Sequence, residues 1–130
     1  MPPDLAQAME RVLRNLKTQV PFHYLRWLRV RQSDGIRLIP ADESCYFKAV
    51  DKYTRVKTLR GESLINKSIR ELFAELDPDQ FWRIHRGTIV NVSQIAKVNR
   101  AFTGRLILKL KDLPEALTVS RTYAHLFRQM

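Results

Sequence analysis

Three histidines, one cysteine and a large excess of arginine and lysine are the side chains in this sequence that could do chemistry. His23, His85 and His125 invite general acid–base work, since imidazoles held beside a phosphate could cleave a phosphodiester. They have no company for it: no carboxylate pair, no serine or cysteine set beside a base, and no glycine-rich phosphate loop. A histidine next to arginine in a strand or loop more often braces structure or donates a hydrogen bond. The chain is therefore expected not to be an enzyme. Cys45 stands alone, which removes any internal disulfide, and the scattered histidines give no metal-ligand spacing. No cofactor is implied, and a lone thiol fits the reducing cytoplasm.

The basic residues carry more information. Lysine and arginine total 23 against 13 aspartate and glutamate, a formal charge of +10 and a pI near 10.3. They are spread as a field rather than gathered in a tail. Arg26, Arg29, Arg31 and Arg37 come first, then Lys48, Lys52, Arg55, Lys57 and Arg60, then Arg83, Arg86, Arg100, Arg105 and Arg121. Such an excess in a small domain repels itself unless a polyanion neutralises it, so nucleic acid is the expected partner. Charge alone recommends Lys57 and Arg60, which are expected at phosphates. The aromatic residues Tyr46, Phe47, Phe73, Phe81, Trp82, Phe102 and Phe127 sit among apolar neighbours and are read as core rather than as stacking platforms; Tyr24 and Tyr53 are possible exceptions.

The elements that position these residues follow from periodicity. A length of 130 residues allows one core, and 45% hydrophobic composition with four glycines and six prolines is that of a folded chain. No apolar run approaches the roughly 20 residues of a membrane span, and no signal-peptide pattern opens the chain. From Asp4 to Val20, Leu5, Met9, Val12, Leu16 and Val20 form one helical stripe, halted by Pro21. This helix, residues 1–20, is expected either to pack on its own domain or to serve as a linker that pairs with a second copy.

Beyond Pro21 the period becomes two. Tyr24 to Arg31 and Ile36 to Ile39 read as a hairpin turned by Gln32-Ser33-Asp34-Gly35. Ser44 to Val50 and Tyr53 to Leu59 are further strands, with Thr54, Val56 and Thr58 on one face and Tyr53, Arg55, Lys57 and Leu59 on the other. Arg60-Gly61-Glu62 reads as the next turn. Ser68 is placed to cap a short helix over Ile69, Leu72, Phe73 and Leu76, with Glu71 at the capping-box position. Strands are expected at Ile95 to Phe102, Arg105 to Leu110 and Glu115 to Val119. A terminal helix capped by Ser120 turns Tyr123, Leu126 and Phe127 inward. The predicted fold is mainly β, packed short antiparallel sheets with two or three short helices over residues 21–130.

The stretch Phe81-Trp82-Arg83-Ile84-His85-Arg86-Gly87-Thr88-Ile89-Val90-Asn91 resembles the signature of the LytTR family of bacterial DNA-binding domains. Similar blocks flank it: Leu38-Ile39-Pro40, Tyr46 to Tyr53, Ser68 to Leu72 and Val119 to Tyr123. The resemblance spans roughly Arg29 to Arg128. It implies packed antiparallel sheets that dock loops into successive major grooves on one face of a bent duplex. It also implies three base-reading places, matched here by Lys52, Tyr53, Thr54 and Arg55, by Arg86 after the motif histidine, and by Arg121 at the entry to the last helix. Arg86 and Arg121 suit guanine O6 and N7, Lys52 and Arg55 a base edge or a phosphate, and Thr54 a thymine or a phosphate. Arg121 could equally brace a neighbouring strand. His85 and Asn91 are expected to be mainly structural, His85 with a donor for phosphate. Gly87 stands where serine is usual, so a contact through that hydroxyl is missing.

The expected function is sequence-specific binding of promoter duplex, as the output domain of a bacterial response regulator in a two-component system. The resemblance implies double-stranded DNA with repeated half-sites, a homodimer on that DNA, and a receiver domain ahead of this chain; no membrane partner is expected. The Asp4 to Val20 helix resembles the end of an interdomain linker, which favours an excised output domain over a stand-alone one. An RNA-binding module with a basic β surface is the alternative, and a phosphodiester-cleaving enzyme a third reading.

Overall fold

The structure, a computed structural model, describes residues 7–9 and 23–128. The helix expected from Asp4 to Val20 lies outside the described residues except for Gln7, Ala8 and Met9, which are helical and exposed.

Alternation produces the strands as expected, and pairing turns them into three antiparallel sheets. β1 (Trp27–Gln32) and β2 (Gly35–Pro40) form the first hairpin. The central sheet has five strands in the order β5 (Gly61–Ile65), β4 (Tyr53–Thr58), β3 (Ser44–Val50), β7 (Thr88–Asn91), β6 (Phe81–His85). A third sheet runs β10 (Ala116–Val119), β9 (Leu106–Leu110), β8 (Ile95–Arg100). Between β5 and β6 lies one α-helix, α1 (Ile69–Glu75), whose N-cap Ser68 accepts from the Glu71 amide while its hydroxyl donates to the Glu71 carboxylate. Ser68 is the N-cap read from the sequence, and Glu71 meets its hydroxyl rather than its backbone amide.

Successive side chains point to opposite faces of a strand, so the central sheet carries two cores. Phe47, Val56, Ile65, Phe81 and Ile89 face Leu28, Val30 and Ile39 of the first hairpin together with Ile69, Leu72 and Leu76. Leu72 is wholly buried, and burying a leucine contributes about 1.5–3 kcal/mol, which anchors α1. Cys45, Tyr46, Ile84 and Val90 face Leu108, Leu110, Leu117 and Val119 of the third sheet. Cys45 and Tyr46 share a face because the β3–β4 register shifts between Ser44 and Tyr46, as a bulge allows.

Three local readings change. The segment after Arg60 is not only a turn: Gly61–Ile65 is an edge strand that pairs with β4. The last segment, Arg121–Phe127, is a 3₁₀ helix without a side-chain cap from Ser120, although Tyr123 and Phe127 do pack on the second core. Phe102 is not core but fully exposed.

Candidate nucleic-acid interface

β3 is antiparallel to both β4 and β7, so the turn Asp51-Lys52 and the turn Arg86-Gly87 emerge at the same end of the central sheet. The Ala49 amide donates to the Gly87 carbonyl at 2.8 Å and ties the two turns together. The Ser120 amide donates to the Ile84 carbonyl at 2.8 Å, which brings the start of the terminal 3₁₀ helix to that end as well. Trp82 and Phe127 pack edge to face at 5.4 Å and hold the segment on β6. The structure thus gathers all three sequence-predicted loops at one sheet end.

Within the first loop the residues divide. Asp51 takes a positive φ of 52°, a conformation its short polar side chain tolerates, and lets β3 turn directly into β4. Lys52 is thereby displayed at the tip, exposed, and Tyr53 follows it, exposed. Thr54 is a correction: it is 1% exposed, and its Oγ1 donates to the Lys67 carbonyl at 2.7 Å, so it secures the end of β5 rather than offering a hydroxyl to DNA. Arg55 is half-buried with its Nε 3.6 Å from a Glu62 carboxylate oxygen.

In the second loop, the Gly87 amide donates to His85 Nδ1 at 3.1 Å. A ring nitrogen that accepts carries no proton, so in the neutral imidazole the proton sits on Nε2 as a donor on an exposed residue. Arg83 Nη2 donates to the Arg86 carbonyl at 2.6 Å and fixes the turn from beneath. Sequence reasoning counted Arg83 only as charge; nothing in its spacing signals this bracing role. Arg86 is exposed, and among the described residues its guanidinium makes no hydrogen bond or ion pair. Around it Lys48, Ala49, His85, Gly87 and Thr88 line a shallow hollow. A Cβ on Gly87 would lie 3.3 Å from the Ala49 Cβ, tighter than most such contacts, so glycine lets the two turns approach closely. Asn91 is structural as expected, wholly buried and donating to the Asp42 and Ser44 carbonyls.

Arg121 opens the terminal 3₁₀ helix, exposed, and its side chain makes no hydrogen bond or ion pair among the described residues. The bracing of a strand falls instead to the Ser120 backbone. Two further arginines that the sequence did not single out, Arg29 and Arg31, share a groove with Tyr53, Leu64 and Asn66 beside the first loop.

Other cations are engaged elsewhere. Lys57 is a correction, for its Nζ lies 3.5 Å from Glu62 and 3.7 Å from Glu115 with little side-chain exposure, so it is a poor phosphate ligand. Arg60 is exposed but sits in the β4–β5 turn, at the opposite end of the sheet from Lys52 and Arg86. That opposite end also holds Asp42, Glu43, Glu62, Asp77, Asp79, Asp112 and Glu115, each at or just before the start of a strand running away from it or just after one arriving. The far end thus mixes these carboxylates with Arg37, Arg60 and Lys111, whereas the predicted loops display Lys52, Arg86 and Arg121 with Asp51 as their one carboxylate. Among the described residues there is no His/Cys/Asp/Glu cluster that could hold a metal, and no helix long and apolar enough to cross a membrane.

Comparison with known proteins places the fold in a family. The family model for the LytTr DNA-binding domain matches residues 34–130. A response regulatory protein of Vibrio cholerae is 42% identical over 132 residues, covering 96% of this chain and 48% of that protein. The positive alginate biosynthesis regulatory protein of Pseudomonas aeruginosa is 36% identical over 97 residues, 74% of this chain and 39% of that one. The solved LytTr DNA-binding domain of a methyl-accepting/DNA response regulator from Bacillus cereus superposes with a TM-score of 0.72 at 29% identity, covering 80% of this chain and 94% of that chain. This chain spans about half the length or less of the curated relatives it matches.

Proposed function

Because the chain belongs to the LytTR family of DNA-binding domains, we propose that it reads promoter duplex with one end of its central sheet, as the output domain of a response regulator acting in the cytoplasm. The observation that carries this reading is the gathering of exposed cations by the three loops. Lys52, Arg86 and Arg121 stand exposed at one sheet end, with neither arginine held in an ion pair among the described residues. Arg86 and Arg121 present two parallel donors each, suited to guanine O6 and N7. Lys52, Tyr53 and the half-buried Arg55 flank them, and the His85 Nε2 donor suits a phosphate. The family model is that of a DNA-binding domain, which supports a role in binding.

The reading extends to a homodimer on repeated half-sites and to a receiver domain ahead of this chain. Its support is the amphipathic stripe Leu5, Met9, Val12, Leu16 and Val20, of which Met9 is exposed at 60%. An apolar stripe at this spacing suits pairing with a second copy. One titration tests both levels. Labelled duplex should be displaced by duplex far better than by structured RNA, with a slope of about −0.9 in log K against log salt for each phosphate neutralised. Removing residues 1–20 should abolish cooperativity on paired sites and leave binding to a single site unchanged. A flat salt response, or equal displacement by RNA, contradicts the duplex reading; cooperativity that survives the truncation contradicts the pairing role.

A further inference from the structure

Phe102 is fully exposed at the tip of the hairpin joining β8 to β9, between the exposed Arg100 and Arg105. A single apolar side chain on a surface is ordinary; its company and its place are not. The place follows from register. Arg100 pairs with Leu106, and Leu106 pairs with Val119. The next residue, Ser120, is bonded to Ile84, two residues before Arg86. The tip of the third sheet therefore emerges at the same end of the molecule as Lys52, Arg86 and Arg121, and not at the far end where β9 finishes.

The tip is also built to hold its shape. The Ala101 amide donates to the Arg105 carbonyl at 2.6 Å and the Gly104 amide to the Ala101 carbonyl at 2.9 Å, with Gly104 at a φ of 89° that suits glycine. A ring presented on a closed turn loses little freedom on binding. Two guanidiniums beside it favour an anionic surface with apolar patches. Duplex DNA offers both, since its phosphates alternate with the C–H faces of deoxyribose.

We propose that the β8–β9 tip is a further DNA contact, in which Arg100 and Arg105 bind phosphates bordering the groove entered by Arg86 and Arg121 and Phe102 lies on the adjacent deoxyriboses. It rests on the reading that this end of the molecule meets DNA. The contact holds backbone and carries no base preference. The test uses the full chain and two variants on cognate and random duplex. Arg100→Gln with Arg105→Gln should weaken both duplexes alike and make the salt slope shallower by about 1.8 units for two lost phosphate contacts. Phe102→Ala should weaken both by about threefold to tenfold with the slope unchanged. All three side chains are exposed, so the melting temperature should not move. Unaltered protein that binds duplex while the Phe102 and double-arginine variants bind equally well overturns the tip contact alone. Unaltered protein that binds no duplex overturns the DNA-reading end, and the tip with it.

Discussion

Thr54 carries a hydroxyl and a methyl that would suit thymine or phosphate, yet its Oγ1 is committed to the Lys67 carbonyl inside the protein. Family position alone could not separate it from Lys52 and Tyr53, because the alternation that places Thr54 on the Val56 face is the feature that buries it. Thr54→Val keeps the shape but removes the hydrogen bond to the Lys67 carbonyl, which should cost about 0.5–1.5 kcal/mol. A lower melting temperature with unchanged base preference is expected; an unchanged melting temperature with altered preference would return Thr54 to the interface. Lys57 teaches the same lesson from the other side. Its position on a basic strand face was legible, whereas Glu115, 58 positions away in the chain and near it only through the fold, was not.

At the scale of elements, strands with strict alternation were readable residue by residue, and β3 and β4 fall where the pattern puts them. The edge strand β5 escaped because Gly61-Glu62-Ser63 looks like turn and four of its five residues are exposed or half-exposed, leaving no buried period to detect. Phe102 was misjudged because aromatic type suggests core, although its place between strands ending at Phe102 and starting at Arg105 already set it beside a turn, where the pairing of β8 with β9 leaves it. One element pairing also predicts a pH response. The Tyr46 hydroxyl donates to Glu115 at 2.9 Å and joins the central sheet to the start of β10. Burial, then the bond to Glu115 and its charge, push the Tyr46 phenol well above its ordinary value. Burial works against the Glu115 charge, but the Tyr46 bond, its own backbone and Lys57 outweigh it and hold the carboxyl low. A phenol raised in the folded state stabilises fully below the unfolded value of about 10 and loses that contribution as pH rises beyond it. A carboxyl held low contributes above about pH 4.3 and loses its share as pH falls through the folded value. Tyr46→Phe should therefore lower the melting temperature at neutral pH and flatten its decline above about pH 10. An alkaline decline identical to that of the unaltered protein would contradict the coupling.

For the molecule as a whole, three sheets stacked around two cores bring strand turns to two ends, and Lys52, Arg86 and Arg121 share one of them. Which basic residues share an end could not be read from a sequence in which they are evenly spread; it required the register. The most direct measurement is selection of bound sites from a random duplex pool by the unaltered protein and by Arg86→Ala, Arg121→Ala and Arg60→Ala, each with a thermal melt. Arg86→Ala and Arg121→Ala should each relax one base position, with about 1–3 kcal/mol of discrimination lost and random-sequence affinity largely kept. Arg60→Ala, at the far end, should select the same sites with the same affinity. Well-folded Arg86 and Arg121 variants that lose selected and random DNA equally, or an Arg60 variant that loses as much as they do, would contradict a reading end defined by the turns of the central sheet.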